Sequence, residues 1–269
     1  MSNNLKLGWF STGRGEGSIG LLKAAVQCIK DNTLDAKIQY VFCNREPGEN
    51  VNTDEFLELV RDFGIPLITF SSTKYRKQMG ATNMADIRVD YDRQVLRLIQ
   101  DLSTDICALA GYMLIAGQEM CERNILLNLH PALPNGPTGT WQDVIWKLIE
   151  TKSRETGAMI HIATPEVDRG QPLTYVSYSL RTREYSRLWK NSNLETGFGN
   201  IKAKIGESLP LFQKIRSDGI RLEKPLLMET LSAISQQRII IPTSNDITMN
   251  SDSTMPLLLN AEINQRLEL

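Results

Sequence analysis

The fold is decided by one stretch of the chain, Ile125-Leu126-Leu127-Asn128-Leu129-His130-Pro131-Ala132-Leu133-Pro134. Its apolar beginning predicts a buried strand, and its Pro-Ala-Leu-Pro end cannot continue a sheet ladder. Residues two apart on a strand point to the same face, so Asn128 and His130 project together. They do so at the carboxyl end of the strand, where an open α/β sheet binds its ligands. The pattern alone leaves two interpretations open: a ligand site, or a buried histidine beside an amide that bonds a loop.

Outward from this stretch, short apolar segments alternate with helical patterns along most of the chain. This alternation predicts an α/β protein with a doubly wound, mostly parallel sheet and helices on both faces. The other predicted strands are Leu5–Phe10, Ile38–Cys43, Ile65–Phe70, Asp105–Gly111, Thr156–Ala163 and Pro172–Leu180. The predicted helices are Ile19–Ile29, Thr53–Phe63, Arg88–Leu102, Thr140–Glu150, Leu209–Ser217 and Leu222–Ile234.

Three segments lack a clear period. Residues 71–86 are polar and basic and predict a mobile loop, and residues 181–207 predict an irregular segment. The chain from Ile239 onward is rich in Ser, Asn and Thr. We therefore predict one α/β domain over residues 1–236 and a C-terminal tail over residues 237–269, packed on the domain or on a second subunit.

The composition is that of an ordinary globular protein, with 269 residues, 41% hydrophobic and 23% charged. The formal net charge of -1 provides no global field that would attract nucleic acid or an anionic membrane. No apolar run reaches the roughly 18 residues that span a bilayer, and the first residues do not have the pattern of a signal peptide. Four scattered cysteines indicate reduced thiols rather than disulfides or zinc. We expect a cytoplasmic protein without nucleic acid or membrane partners.

A glycine-rich turn, Ser11–Ser18, separates the first predicted strand from the first predicted helix. Backbone N–H groups and a helix N-terminus hold phosphates in turns of this layout. The turn lacks the lysine of a Walker A loop, and its glycine spacing is not the dinucleotide fingerprint. A phosphate site and a purely structural turn therefore both remain open at this point.

Taken in order, several segments resemble motifs of the folate-dependent formyltransferases, most closely those acting on glycinamide ribonucleotide in purine biosynthesis. Ser11–Ser18 resembles the family's glycine-rich phosphate loop, Arg88–Arg93 its Arg-x-x-Tyr-Asp helix start, and Leu109–Met113 its Leu-Ala-Gly-Phe-Met strand end. Asn128–Pro134 resembles its Asn-x-His-Pro signature, Thr156–His161 its Gly-Thr-x-Val-His strand, and Val167–Gly170 its Asp-x-Gly loop. The resemblance covers Leu5 to Leu180 and implies a Rossmann-like formyltransferase fold.

The resemblance also implies an enzyme that moves a formyl group from 10-formyltetrahydrofolate, as co-substrate and without a metal, to the amine of glycinamide ribonucleotide. It makes Asn128, His130 and Asp168 the catalytic group. The residues it assigns to the substrate phosphate are Gly13, Arg14, Gly15, Gly17, Ser18 and Arg88. The residues it assigns to the folate are Tyr112, Met113, Leu114 and Ile115. Small-molecule substrates are the expected partners, and a homodimer is left open.

These residue types suit the reaction, because attack of an amine on a formyl carbon develops an oxyanion. An imidazolium and an amide N–H₂ can stabilise that charge, and a histidine can move a proton near neutral pH. A carboxylate such as Asp168 beside His130 would favour the imidazolium and fix the ring. His161, the second histidine, lies inside an apolar strand and is interpreted as structural.

Some positions depart from the family pattern. Glu16 is inserted in the phosphate loop, where its charge would repel a phosphate, and Leu114 stands where the family has an arginine. A different amine acceptor, such as an amino sugar nucleotide or methionyl-tRNA, is therefore an alternative. A non-catalytic nucleotide-binding homologue is another.

Overall fold

The computed structural model describes residues 4–192, 197–241 and 255–268. Its strands are β1 (Leu5–Ser11), β2 (Ala36–Cys43), β3 (Leu67–Thr69), β4 (Ile106–Leu109), β5 (Leu126–His130), β6 (Glu155–Ile162), β7 (Pro172–Ser179) and β8 (Leu257–Leu258). Its helices are α1 (Glu16–Lys30), α2 (Val51–Asp62), α3 (Ser72–Gln78), α4 (Arg88–Ile99), α5 (Gln118–Arg123), α6 (Trp141–Glu150), α7 (Arg183–Asn191), α8 (Phe198–Lys204), α9 (Pro210–Ser235) and α10 (Asn260–Glu268). Within these ranges, no helix is long and apolar enough to cross a membrane.

The strands follow the order β3-β2-β1-β4-β5-β6-β7-β8. The pairs β1–β2, β1–β4, β2–β3, β4–β5 and β7–β8 are parallel. A hairpin joins β6 to β7, and the Ile162 N–H closes it by donating to the Gln171 carbonyl at 3.0 Å. The prediction of a mostly parallel α/β sheet is confirmed.

The chain divides into two compact units, each with its own core. The described part of the first unit comprises residues 4–128, 161–171 and 230–241. Its central strands are buried on nearly every residue, as parallel strands with both faces covered should be. Its core includes the side chains of Phe10, Tyr40, Phe42, Tyr91, Val95, Leu96 and Ile99.

The described part of the second unit comprises residues 129–160, 172–192, 197–229 and 255–268. Helix α6 begins with a capping box, because Thr140 Oγ1 accepts from the Asp143 N–H while the Asp143 carboxylate accepts from the Thr140 N–H. Its apolar face then packs into a core with α9, which includes Val144, Trp146, Ile149, Leu211, Phe212 and Ile215.

Two segments predicted to lack regular structure contain helices, so those predictions are wrong. Residues 71–86 contain α3, for which Ser71 supplies the N-cap. Residues 181–207 contain α7 and α8; Thr182 caps α7, and Tyr185 is its buried aromatic residue. All three helices are short; α3 and α7 each have a side-chain N-cap, whereas α8 has none.

The last two predicted helices, 209–217 and 222–234, are one continuous helix, α9. Pro225 lies inside it and removes one backbone hydrogen-bond donor. Leu222 and Leu226 on either side of the proline are buried, so tertiary packing supports the helix there. The break predicted between the two helices, at residues 218–221, is absent because α9 runs through it.

The predicted tail contains regular structure in the part described. Strand β8 pairs with β7, and the Asn260 side chain makes two 2.9 Å hydrogen bonds with the backbone of Ser177, one accepted and one donated. Leu259 and Ile263 are fully buried in the second unit. Division of the chain at residue 237 stays a prediction.

Candidate active site

The sheet order reverses direction between β1 and β4 in the first unit. From β1 the chain continues to β2 on one side, whereas β4 lies against the other side. Ligands of open α/β sheets bind outside the carboxyl ends of the strands at such a switch point. The segments that leave the carboxyl ends of β1 and β4 are the glycine-rich turn and residues 111–117, called here the 111–117 loop.

The glycine-rich turn has the backbone conformation that a close ligand approach requires. Gly13 has a φ of +65°, and a Cβ there would lie 2.9 Å from the Phe56 ring. Around Gly15 and Gly17 the space is open, with no atom within 4 Å of an added Cβ. Helix α1 begins at Glu16, so first-turn N–H groups of a 15-residue helix lie beside this space.

The glycine-rich turn and the 111–117 loop are joined by hydrogen bonds. The Thr12 N–H donates to the Gly111 carbonyl at 2.9 Å, and the Met113 N–H donates to Thr12 Oγ1 at 2.9 Å. Ser18 is buried, and its hydroxyl packs against Gly111 so closely that a side chain there would not fit. The predicted phosphate and folate segments are therefore neighbours in the first unit.

The four residues predicted to bind folate alternate between partly buried and exposed positions. The rings of Phe10 and Phe42 lie against Tyr112, and burial raises the pKa of its hydroxyl well above the usual value. That hydroxyl has no hydrogen-bond partner among the described residues. Leu114 also packs on the core. Met113 is 75% exposed and Ile115 is 43% exposed, so these two are the side chains that a ligand can reach.

Asn128, His161 and Asp168 come together at the carboxyl end of β5 in the first unit. Asn128 lies opposite Leu109 of β4, and its Nδ2 is 3.0 Å from His161 Nε2. Asp168 Oδ1 lies 3.8 Å from the same nitrogen, and the side chains of His161 and Asp168 are only 2% and 7% exposed. Asp168 has a left-handed backbone, with φ of 56°, in the turn between β6 and β7.

The hydrogen bonds of His161 decide how Asn128 is oriented. Nδ1 of His161 is 3.0 Å from the Ile162 carbonyl, which can only accept, so Nδ1 carries a proton. In the neutral ring Nε2 is then an acceptor, and the Asn128 Nδ2 group donates to it. The amide has two N–H bonds, so the second one is left for another acceptor.

His130 belongs to the second unit, where it ends β5. It is 3% exposed, and its Nε2 is 2.8 Å from the Pro137 carbonyl. Because a carbonyl only accepts, Nε2 carries the proton and Nδ1 of the neutral ring is the basic nitrogen. Pro137 lies in the turn-rich segment that leads to α6, so this segment orients the imidazole.

Arg88 and Arg14 differ in their surroundings. Arg88 begins α4 and lies against Gly117 of the 111–117 loop, beside the Asp92 carboxyl, whose pKa is raised by burial and only partly lowered again by Arg88. Arg14 is exposed in the glycine-rich turn, and its carbonyl accepts from Asn52 Nδ2 at 3.4 Å. Arg88 thus lies beside the segment predicted to bind folate, and its predicted contact with the substrate phosphate stays a prediction.

Sequence reasoning missed two residues at this site. His161 was interpreted as structural, although it is one of only two histidines and precedes Asp168 by one short turn. Asp92 was not singled out, although it occupies a core position in the periodic pattern of α4. Among the described residues, no group of His, Cys, Asp and Glu has an arrangement that could hold a metal ion.

Comparison with known proteins identifies the family. Residues 14–187 match the formyl transferase family. Phosphoribosylglycinamide formyltransferase of Saccharomyces cerevisiae is 30% identical over 169 residues, which cover 58% of this chain and 76% of that protein.

Two solved structures share the fold. Glycinamide ribonucleotide transformylase 1 from Symbiobacterium toebii has a TM-score of 0.62 at 16% identity, covering 91% of this chain and 93% of the other. Formyltetrahydrofolate deformylase from Burkholderia mallei has a TM-score of 0.61 at 17% identity, covering 91% and 69%. The fold alone therefore does not distinguish transfer from hydrolysis, but the family match over most of the chain is decisive, and this chain belongs to the formyl transferase family.

Proposed function

We propose that this protein transfers the formyl group of 10-formyltetrahydrofolate to the amine of glycinamide ribonucleotide in purine biosynthesis. The named relative from S. cerevisiae supports the acceptor, and family membership supports the chemistry. The observation that carries the proposal is the Asn128 amide, fixed by His161 at the carboxyl edge of β5 beside the switch point. Preorganised donors at such a position suit a reaction in which an oxyanion develops.

The folate is proposed to bind along the 111–117 loop. Met113 and Ile115 offer exposed apolar side chains to its ring system, while Tyr112 and Leu114 anchor the loop in the core. Small-molecule sites commonly combine apolar walls with a few polar groups of this kind.

The phosphate of the acceptor is proposed to bind at the glycine-rich turn. Gly13, Gly15 and Gly17 leave its backbone accessible, and Arg14 and Ser18 add a cation and a hydroxyl; Arg88 is kept as a further candidate. The N-terminus of α1 favours an anion here.

In the proposed reaction the acceptor amine forms a bond to the formyl carbon, giving a tetrahedral intermediate. The second N–H of Asn128 and a protonated His130 stabilise its oxyanion. The bond from that carbon to N10 of the folate then breaks. His130 gives its Nδ1 proton to the departing N10, and the proton lost by the amine then restores the imidazolium, whose charge Asp168 is proposed to favour. The products are the formylated amine and tetrahydrofolate.

A second acceptor class is favoured by one observation. Glu16 is exposed in the first turn of α1, where its carboxylate opposes a phosphate bound at the glycine-rich turn. An amine whose phosphate lies farther from this turn, or that has none, would avoid the repulsion.

The test is an assay of formyl transfer from 10-formyltetrahydrofolate, with glycinamide ribonucleotide as acceptor. Tetrahydrofolate formation, formylated product and free formate are measured separately. Asp168→Asn is the inactive control. The matched active control is Asp105→Asn, because Asp105 accepts from the Lys6 N–H at the opposite end of the sheet. Free formate without formylated product would contradict transfer, and transfer only to another amine would contradict the acceptor.

We further propose that the protein acts on small molecules in the cytoplasm rather than on nucleic acid, with a homodimer left open as its assembly. Gel filtration with light scattering measures the assembly.

A further inference from the structure

A buried carboxylate holds one end of the 111–117 loop. Asp92 of α4 is 4% exposed, and its Oδ2 accepts a hydrogen bond from the Gly117 N–H at 2.6 Å. Hydrogen bonds between an ionised carboxylate and a backbone N–H are shorter and roughly twice as strong as neutral ones. The bond therefore fixes the backbone where the loop enters α5.

Gly117 is shaped for this contact. A Cβ at Gly117 would lie 2.7 Å from Asp92 Oδ2 and 3.7 Å from two side-chain carbons of Arg88. No side chain fits there while the carboxylate stays in place. The position is therefore matched to the carboxylate, and the stem of Arg88 covers the pair.

The other end of the loop is held by the bond from the Met113 N–H to Thr12 Oγ1. Between the two anchors lie only Leu114, Ile115 and Ala116. Both anchored ends define the direction in which the exposed Met113 and Ile115 side chains point. A short segment fixed at both ends has little entropy left to lose when a ligand binds.

The carboxylate is not what packing alone would select at this position. Burial raises the pKa of Asp92 to about 6, and the Gly117 hydrogen bond and Arg88 only partly offset that effect. An ionised Asp92 thus destabilises the fold at neutral pH, and an amide of equal size would avoid the desolvation. The short bond to the Gly117 N–H and the close fit of Gly117 against the carboxylate point instead to a role in the loop's conformation.

We propose that Asp92 is a positioning residue, which fixes the 111–117 loop in the conformation that binds the formyl-folate. The inference rests on the proposed function and names a determinant of folate affinity within that site. Asp92 acts through the Gly117 backbone and does not contact the reacting atoms.

The charge state of Asp92 is set by groups on three elements. On α4 Arg88 favours ionisation, whereas Glu119 on α5 opposes it. The Tyr112 hydroxyl of the loop and the Cys121 thiol of α5 also face the carboxylate; burial raises the pKa of both groups, and the charge of Asp92 adds to that effect.

The test compares Asp92→Asn with Asp90→Asn, an exposed carboxylate on the same helix. For each protein, KM for 10-formyltetrahydrofolate, KM for the acceptor, kcat, Tm and direct folate binding by calorimetry are measured. Asp92→Asn should weaken folate binding and raise the folate KM about tenfold. Its kcat and acceptor KM should stay within about twofold, and its Tm should not fall. Asp90→Asn should match the wild type.

A pH profile separates positioning from simple packing. The wild-type folate KM should rise below about pH 6 as the carboxyl becomes protonated and loses its charge. The profile of Asp92→Asn should be flat over that range. An unchanged folate KM, or equal changes in both KM values with a lower Tm, would overturn the proposal while leaving the proposed function intact. A wild-type protein that binds no folate would overturn both.

Discussion

His161 offers the sharpest test of how this site works. In His161→Phe an aromatic ring is kept, but the acceptor 3.0 Å from Asn128 Nδ2 is removed. Leaving a buried donor without a partner costs about 1–3 kcal/mol. If this whole free energy is lost from transition-state stabilisation, because Asn128 is no longer oriented, kcat falls about 5- to 150-fold. The substrate KM values should change little, because the contact orients a group that acts mainly on the developing charge.

The expected loss has an upper limit. Removing the donor itself, as in Asn128→Ala, should lower kcat by about 10²–10³. If His161 acts through Asn128, the double variant should be no slower than Asn128→Ala alone. His161→Gln, which restores an acceptor, should recover part of the rate. The assay is single-turnover formyl transfer, with Tm measured for each variant because the Ile162 carbonyl also loses its donor.

Full additivity would refute this reasoning. If the double variant is slower than Asn128→Ala by the whole factor seen in His161→Phe, the two side chains act independently. Normal turnover in His161→Phe would equally show that the hydrogen bond does not orient the amide.

The remaining predictions concern stability. Gly170→Ala should lower the free energy of unfolding, measured in urea, by about 1–3 kcal/mol, because a Cβ there meets a backbone carbonyl of β6. Gly20→Ala, whose Cβ lies in open space within a helix, should raise it by about 0.5–1 kcal/mol. Ile263→Ala should lower the free energy of unfolding by about 2–4 kcal/mol, because Ile263 is fully buried. Leu267→Ala, at a residue that is 38% exposed, should lower it by less than about 1 kcal/mol. Equal small effects would show that α10 does not pack on the second unit. For Asp92, the pKa in the folded state is about 6, which lies above the unfolded value, so the folded state binds the proton first. The free energy of unfolding should therefore rise as pH falls from about 6 to 4, by at most about 1.4 kcal/mol per pH unit. Asp92→Asn should lack that slope in urea titrations at each pH.

The sheet could be predicted because its strands are encoded locally. Strands β1, β2, β4 and β5 are mostly apolar and are followed within two residues by glycine, asparagine or proline, and burial on both faces favours such apolar runs. Helices α3 and α7 could not be predicted in the same way. Tyr75 of α3 packs its ring against Tyr91 of α4, which a short window on the sequence around Tyr75 does not contain.

The arrangement of the proposed site residues was only partly predictable. Asn128 follows from strand spacing, and Asp168 follows from the resemblance. The hydrogen bond from Asn128 to His161 joins residues 33 apart in sequence, so no local period contains it. The strand order β5-β6 is what makes these residues neighbours. Because register is a tertiary property, the histidine could be assigned only once the pairing of the strands was known.

One local signal nevertheless marks both residues that sequence reasoning missed. His161 interrupts an apolar strand, and Asp92 stands among Tyr91, Val95 and Ile99 on the buried face of α4. Burying a polar or charged group costs free energy unless it is bonded, so each interruption requires a partner. The partners turn out to be Asn128 and the Gly117 backbone, both in segments assigned to the site. A polar residue that breaks an apolar period is therefore a better indicator of the site in this chain than an exposed one.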